Sequence, residues 1–155
     1  MRPELLAAIR AQYRLEWDGI HGLAHWERVR ENGLRLAGIT GARTDIIELF
    51  AYFHDACRLN DGRDPEHGAR GADLARLLNG TVFDLDPEGL GLLVEACSGH
   101  THGTAAGEVT VATCWDADRL DLARVGIRPR PERLCTSAAR DRGIIAWACE
   151  RSLRR

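Results

Sequence analysis

Leu49-Phe50-Ala51-Tyr52-Phe53-His54-Asp55-Ala56-Cys57-Arg58-Leu59-Asn60-Asp61 sets the fold of this chain. Five apolar or aromatic residues in a row drive a helix into a core, and an imidazole and a carboxylate follow at once. Burying an ionised group there costs on the order of several kcal/mol unless it is paired or bound to a metal. Upstream, His25 lies in HGLAHWERV; downstream, Asp118 lies in CWDADRLDLARV. All three stretches predict helices, so the ordered set is H…HD…D on three separate elements. Two imidazoles and two carboxylates form a mixed nitrogen and oxygen set suited to a divalent transition metal. Four protein ligands leave open positions for water and substrate. Adjacent helical residues diverge by about 100°, and a metal between those directions is within reach of both His54 and Asp55. Ligands from three helices put the centre in the middle of a bundle.

Composition bounds the rest. A chain of 155 residues is the size of one domain with a substantial core. Apolar residues make up 45% and charged residues 28%, ordinary for a soluble protein. The net charge of −2 gives no reason to expect a nucleic-acid partner. A basic patch for nucleic acid would want interleaved aromatics, and after Arg124 only Trp147 is available. No apolar run approaches the length of about 18 residues that a membrane span needs. MRPELLAAIRAQYRLEW reads as an amphipathic helix rather than a leader, and the expected address is the cytoplasm. Cys57, Cys97, Cys114, Cys135 and Cys149 form no CxxC pair, which predicts neither a disulfide framework nor a zinc knuckle. Cys97 and Cys114 sit among Val, Leu, Ala and Trp and read as small core residues. All 21 basic residues are arginine, which codon bias explains more simply than function does. Arg128, Arg130, Arg133, Arg140, Arg142, Arg151, Arg154 and Arg155 outnumber the acids after Arg124, and a solvated terminal helix accounts for most of that excess.

Apolar residues recur at three- and four-residue steps over 3–17, 24–38, 44–58, 66–79, 88–100 and 109–124, with a last helix near 138–152. The expectation is an all-α fold, one domain over residues 1–155. Asp64-Pro65-Glu66 and Asp86-Pro87-Glu88 each offer an Asp cap and a Pro at the first helical position. Gly38-Ile39-Thr40-Gly41 and the glycine-rich stretch 99–107 read as connections. Only residues 108–112 hint at period-two alternation. The stretch 126–137, with Pro129 and Pro131, reads as an irregular arm rather than a domain boundary.

Across residues 18–125 the chain resembles the HD-domain superfamily of metal-dependent phosphohydrolases. The resemblance rests on His25 in HWERV, on His54-Asp55, and on Asp118 in Ala117-Asp118-Arg119-Leu120. The HGxxHWxRV, FHDxxRxND, DPxHGxRGA and CWDADRLDL segments make it most similar to small single-domain bacterial members. It implies a compact helical bundle with the metal at its centre, held by His25, His54, Asp55 and Asp118. Members that bind two metals carry the longer order H…HD…H…H…D, which His67 and His100 complete here. These two are candidate ligands of a second metal, with Asp55 bridging, or else contacts to substrate phosphate or a metal-bound water. His102 is as well placed in sequence as His100. The implied cofactor is one or two divalent ions, Mn, Fe, Co or Ni, with Mg also admissible.

Such a metal lowers the pKa of bound water and polarises a phosphoryl oxygen. The resemblance therefore implies a phosphohydrolase acting on a small phosphorylated substrate, a nucleotide in the first instance. Asp55, Arg58, His67 and His100 are the candidate catalytic residues, and His21, Arg28, Arg70 and His102 the candidate substrate contacts. Arg58, one turn after His54, leads as a phosphate-binding arginine; Arg119 reads as an ion-pair partner. Asp61 or Glu66 could orient the attacking water. Some nucleotidases and alarmone hydrolases of the superfamily place an acid three or four residues after the HD aspartate. Arg58 and Leu59 stand there instead, so that water-activating arrangement does not carry over. Two other classes stay open: an HD-type di-iron oxygenase with the same longer ligand set, and a non-catalytic ligand-binding module. The complete ligand set argues against the module.

Overall fold

The computed structural model describes residues 2–154; Met1 and Arg155, the last of the C-terminal arginines, lie outside the described residues. Helices α1 (Pro3–Gln12), α2 (Leu23–Thr40), α3 (Thr44–Phe53), α4 (His67–Leu78), α5 (Pro87–Gly99), α6 (Val109–Arg119) and α7 (Arg142–Leu153) follow in order. Two short 3₁₀ turns, Leu122–Val125 and Pro131–Arg133, lie between α6 and α7. The fold is all-α, and the Asn79 to Phe83 bridge is the one strand-like pairing among the described residues. No helix among them is long and apolar enough to cross a membrane.

The apolar run of α3 is why this helix lies at the centre. Ile46, Ile47, Leu49, Phe50, Ala51 and Phe53 are completely buried, and α2, α4, α5, α6 and α1 all pack on it. α2 lies against both α3 and α6, while α4 packs chiefly on α5. A second, smaller core forms where Ile144, Ile145 and Ala148 of α7 meet Leu36, Leu120 and Leu134. Cys97 and Cys114 are fully buried core residues whose thiols burial pushes up, as the sequence led one to expect.

Several helix ends differ from the periodicity. α1 stops at Gln12, because Tyr13 turns extended and its hydroxyl donates to the His21 carbonyl. Tyr13 and Trp17 of the loop then pack edge to face with Trp26 of α2, with centroids 5.3–5.6 Å apart. α3 ends at Phe53 rather than near 58. The His54 N–H still closes the last turn on the Phe50 carbonyl, and the His54 ring donates to the Ala51 carbonyl in place of the next backbone donor. The chain continues in tight turns that swing Asp55 toward the bundle interior. Asp64 does not cap α4; its carboxylate accepts from Leu59 N–H and from Arg70. Pro87 does open α5, but Asp86 pairs with Arg43 instead of capping. Residues 108–112 are no strand: Glu108 caps α6, accepting from the Thr110 and Val111 amides. α7 starts at Arg142 with Asp141 as its cap.

Two glycines let α4 approach closely enough to deliver His67. A Cβ at Gly68 would lie 2.3 Å from the Cys97 carbonyl oxygen, and one at Gly71 would lie 2.3 Å from that of Phe53. Gly68→Ala must therefore push α4 off α5. The expected cost is about 1–3 kcal/mol, read from the urea midpoint. Gly91→Ala, where a Cβ meets nothing within 4 Å, should instead stabilise α5 by about 0.5–1 kcal/mol. Equal midpoints for the two variants would contradict this packing.

Candidate metal centre

Five of the six histidines converge on Asp55. His25 comes from the first turn of α2, His54 and Asp55 from the turn that ends α3, His67 from the start of α4, and His100 from the residue after α5. His25, His54, Asp55, His67 and His100 are all buried. Asp118, near the end of α6, is 18% exposed and lies at the open side.

The outward ring nitrogens fix the chemistry of the inward ones. His54 Nδ1 donates to the Phe50 and Ala51 carbonyls (3.1 and 3.0 Å), and His100 Nδ1 to the Cys97 carbonyl (2.7 Å). His67 Nδ1 donates to the Asp64 carbonyl, and His25 Nδ1 to the Asp121 carboxylate at 2.7 Å. These partners only accept, so each Nδ1 carries a proton, and a ring in its neutral form presents a lone pair at Nε2. The Nε2 atoms meet head on. His25 Nε2 lies 3.1 Å from His54 Nε2, and His67 Nε2 lies 3.0 Å from His100 Nε2. Each close pair needs a cation between its nitrogens, a proton or a metal ion.

Asp55 joins the two sets. Its Oδ2 is 3.5 Å from His25 Nε2 and 3.6 Å from His54 Nε2; its Oδ1 is 3.1 Å from His67 Nε2 and 3.7 Å from His100 Nε2. Asp118 Oδ1 completes the first set, 3.3 Å from His25 and 3.5 Å from His54. Ligand atoms about 2.0–2.2 Å from one ion lie about 2.8–3.6 Å apart at neighbouring vertices of an octahedron or tetrahedron. The donor set fits metal on chemistry and spacing alike. His25, His54, Asp55 and Asp118 could hold one ion, and Asp55, His67 and His100 a second.

The carboxylates set the electrostatics. Burial penalises the His25 imidazolium, but Asp118, Asp121 and Asp55 outweigh it and raise its pKa to about 9. Without metal, His25 therefore holds a proton near neutral pH, in the place a metal ion would take. Burial would push Asp55 up; the surrounding imidazoles, led by His54, instead hold it well below the carboxylate range. Asp118 is held down in the same way by His54 and His25.

A solved structure described as a predicted HD superfamily hydrolase, from an uncultured Thermotogales bacterium, superposes on this chain with a TM-score of 0.72. The identity is 26%, over 96% of this chain and 84% of that one. The chain shares the fold of this predicted HD superfamily hydrolase. No family model matches it, and no curated protein does.

The centre forms the floor of a cleft of about 1070 Å³. Arg58, Asp61, His102 and Arg119 stand in its walls. Arg58 Nε holds Asp55 Oδ1 at 3.2 Å, and His21 Nδ1 holds Asp55 Oδ2 at 3.0 Å, so both steady the shared carboxylate from the cleft side. His100 joins the cluster while His102 is exposed in the wall, which separates the two histidines the sequence could not. Arg28 and Arg70, read from the sequence as substrate contacts, turn elsewhere. Arg28 Nε binds Asp121 at 2.8 Å, and Arg70 binds both oxygens of Asp64 at 2.6 Å. Neither lines the cleft, and nor does Glu66, the residue before α4. Arg119 pairs with no carboxylate among the described residues. It donates instead to the His100, Gly103 and Arg133 carbonyls and ties two cleft walls together.

Sequence reasoning missed two parts of the site. Asp121, fully buried, accepts from His25 Nδ1, Arg28 and Ser152. Its position one turn beyond Asp118 was the available signal. The other part is the arm. Arg128, Arg130 and Arg133, assigned to a solvated terminal stretch, line the cleft, while Arg151 of α7 and Arg154 just after it pair with Glu31 and Glu150.

Proposed function

We propose that this HD protein is a metal-dependent phosphohydrolase that cleaves an ester or anhydride bond in a small phosphorylated substrate. The observation that carries the reading is two imidazole pairs with facing Nε2 atoms around one buried carboxylate, at the floor of an arginine-walled cleft. His25, His54, Asp55 and Asp118 would hold one divalent ion, and Asp55, His67 and His100 a second; such ions would lower the pKa of water and neutralise phosphoryl charge. Arg58 reaches toward the centre from the wall and is placed to hold a phosphoryl oxygen once substrate enters. In the reaction, the oxygen of water bonds to phosphorus as the bond to the leaving oxygen breaks. Water gives up a proton and the leaving oxygen takes one. Asp61, His102 and Glu132 are cleft-wall groups outside the ligand cluster that can exchange those protons with solvent. A nucleotide fits the cleft's volume.

The test is a hydrolysis panel of nucleoside mono- and triphosphates and simple phosphate esters. Mn²⁺, Co²⁺, Ni²⁺ and Mg²⁺ are supplied in turn to chelator-stripped protein. Expected is phosphate release that is absent from stripped protein and returns with at least one metal. Silence across the panel with metal demonstrably bound would overturn the reading and move it to oxygen chemistry at a di-iron form of the same centre. The arginine wall supports phosphate over that alternative.

A further inference from the structure

The cleft is larger than one phosphoryl group needs, and its far wall is the arm. Six arginines line the cleft: Arg58, Arg119, Arg124, Arg128, Arg130 and Arg133. Outside the ligand cluster, only Asp61 and Glu132 oppose them there. The first three are engaged by protein. Arg58 is on Asp55 and two carbonyls, Arg119 is on carbonyls, and Arg124 is on the Ile20 and Asp121 carbonyls. Arg128, Arg130 and Arg133 are exposed and enter no ion pair among the described residues.

The arm that carries them is held in place. Asp116 is buried two residues before Asp118. It accepts from Cys135 N–H (2.7 Å), Thr136 N–H (2.8 Å) and the Thr136 hydroxyl (2.8 Å). Leu134 is buried in the second core, and Arg119 holds the Arg133 carbonyl at 3.2 Å. Pro129 and Pro131 fix φ on alternate residues of Arg128-Pro129-Arg130-Pro131 and cut the freedom an arm would otherwise lose on binding. Three unengaged guanidinium groups on a stiffened strap, facing the metal centre across a cleft, form a preorganised anion site.

We infer that Arg128, Arg130 and Arg133 form a second anion subsite. The substrate then carries, besides the phosphoryl group at the metal centre, at least one further phosphate or carboxylate some distance away. This rests on the phosphohydrolase reading and specifies its substrate class: a compound with two separated anionic groups rather than a simple monoester.

The experiment uses non-hydrolysable probes. Isothermal titration measures binding of α,ω-alkane bisphosphonates of graded chain length, and of alkyl monophosphonates of matching length, to metal-loaded protein. Metal content is checked after each titration. In the native protein, one chain length should bind about tenfold tighter than its monophosphonate, as expected for one added set of charge-assisted hydrogen bonds. In Arg128→Gln/Arg130→Gln/Arg133→Gln that advantage should fall to the roughly twofold expected for two equivalent ends. Arg14→Gln/Arg76→Gln/Arg154→Gln, exposed arginines away from the cleft, remove the same charge and should keep it. Equal ratios in the native and arm variants would overturn the inference, as would an equal loss in the charge-matched control. Monophosphonate binding that does not depend on metal in the arm variant, where only the metal centre is left to hold it, would overturn the phosphohydrolase reading and this inference with it. Metal-dependent monophosphonate binding without a bisphosphonate advantage would overturn this inference alone.

Discussion

Asp55→Asn is expected to strip both halves of the centre at once and to lower metal-dependent turnover by about three orders of magnitude or more. Asp55 is the single residue with an oxygen toward each imidazole pair, at 3.5 and 3.6 Å on one side and 3.1 and 3.7 Å on the other. Without its charge each set would keep two imidazoles, and only the His25 and His54 set would also keep a carboxylate, that of Asp118. His67→Ala removes a ligand from one half only, so metal analysis after dialysis should read two equivalents in the native protein, one in His67→Ala, and close to none in Asp55→Asn. The helices should persist. Asn fills the same volume and its oxygen can still accept from Arg58 or His21, so the loss of stability should be about 1–3 kcal/mol, with an unchanged circular dichroism spectrum. Two full equivalents in Asp55→Asn would remove the shared carboxylate from the account of the site.

The second large effect is expected at a residue that touches no metal. Asp121→Asn should weaken binding at the His25 and His54 half by about 10–100-fold while leaving the His67 and His100 half unchanged. Asp121 fixes the His25 tautomer through the 2.7 Å bond to Nδ1, and its negative charge strengthens Nε2 as a donor. The same carboxylate accepts from Arg28 and from Ser152 of α7, which makes it the joint between the terminal helix and the centre. It acts through His25 and is a positioning residue. The measurement is activity against metal concentration. Maximal turnover should be regained at higher metal, with the half-saturating concentration shifted upward. A purely structural role would lower the melting temperature and leave that concentration where it was. Asp121→Ala, which leaves Arg28 and His25 unpaired in a buried site, should be harsher and cost about 3–5 kcal/mol of stability.

Local sequence decided the helices and singled out a set of candidate ligands. An apolar run as dense as residues 46–53 can only be a buried element, and a His-Asp pair at its end cannot be buried without a partner. His25, His54-Asp55, His67, His100 and Asp118 stand out in order along the chain, and the fold brings them together. The helix ends were not legible. The His54 ring replaces a backbone donor at the end of α3, and Asp64 and Asp86 leave their caps for Arg70 and Arg43, each across a gap in sequence that no local rule spans.

Only the tertiary structure decided which polar residues face the centre. His100 and His102 differ by two positions on a turn, and packing of α5 against α4 sends one inward and leaves the other in the cleft wall. Arg28 and Arg70 sit at helical spacings that suited substrate, yet buried carboxylates from distant segments claim them. The arm looked like solvated chain because its arginines have no local partner. It becomes a wall of the cleft through Asp116 and Leu134, contacts made across 19 residues of chain and across a second core. A sequence shows which groups a protein must satisfy; which neighbour satisfies each one is settled by burial, when distant segments compete for the same charge.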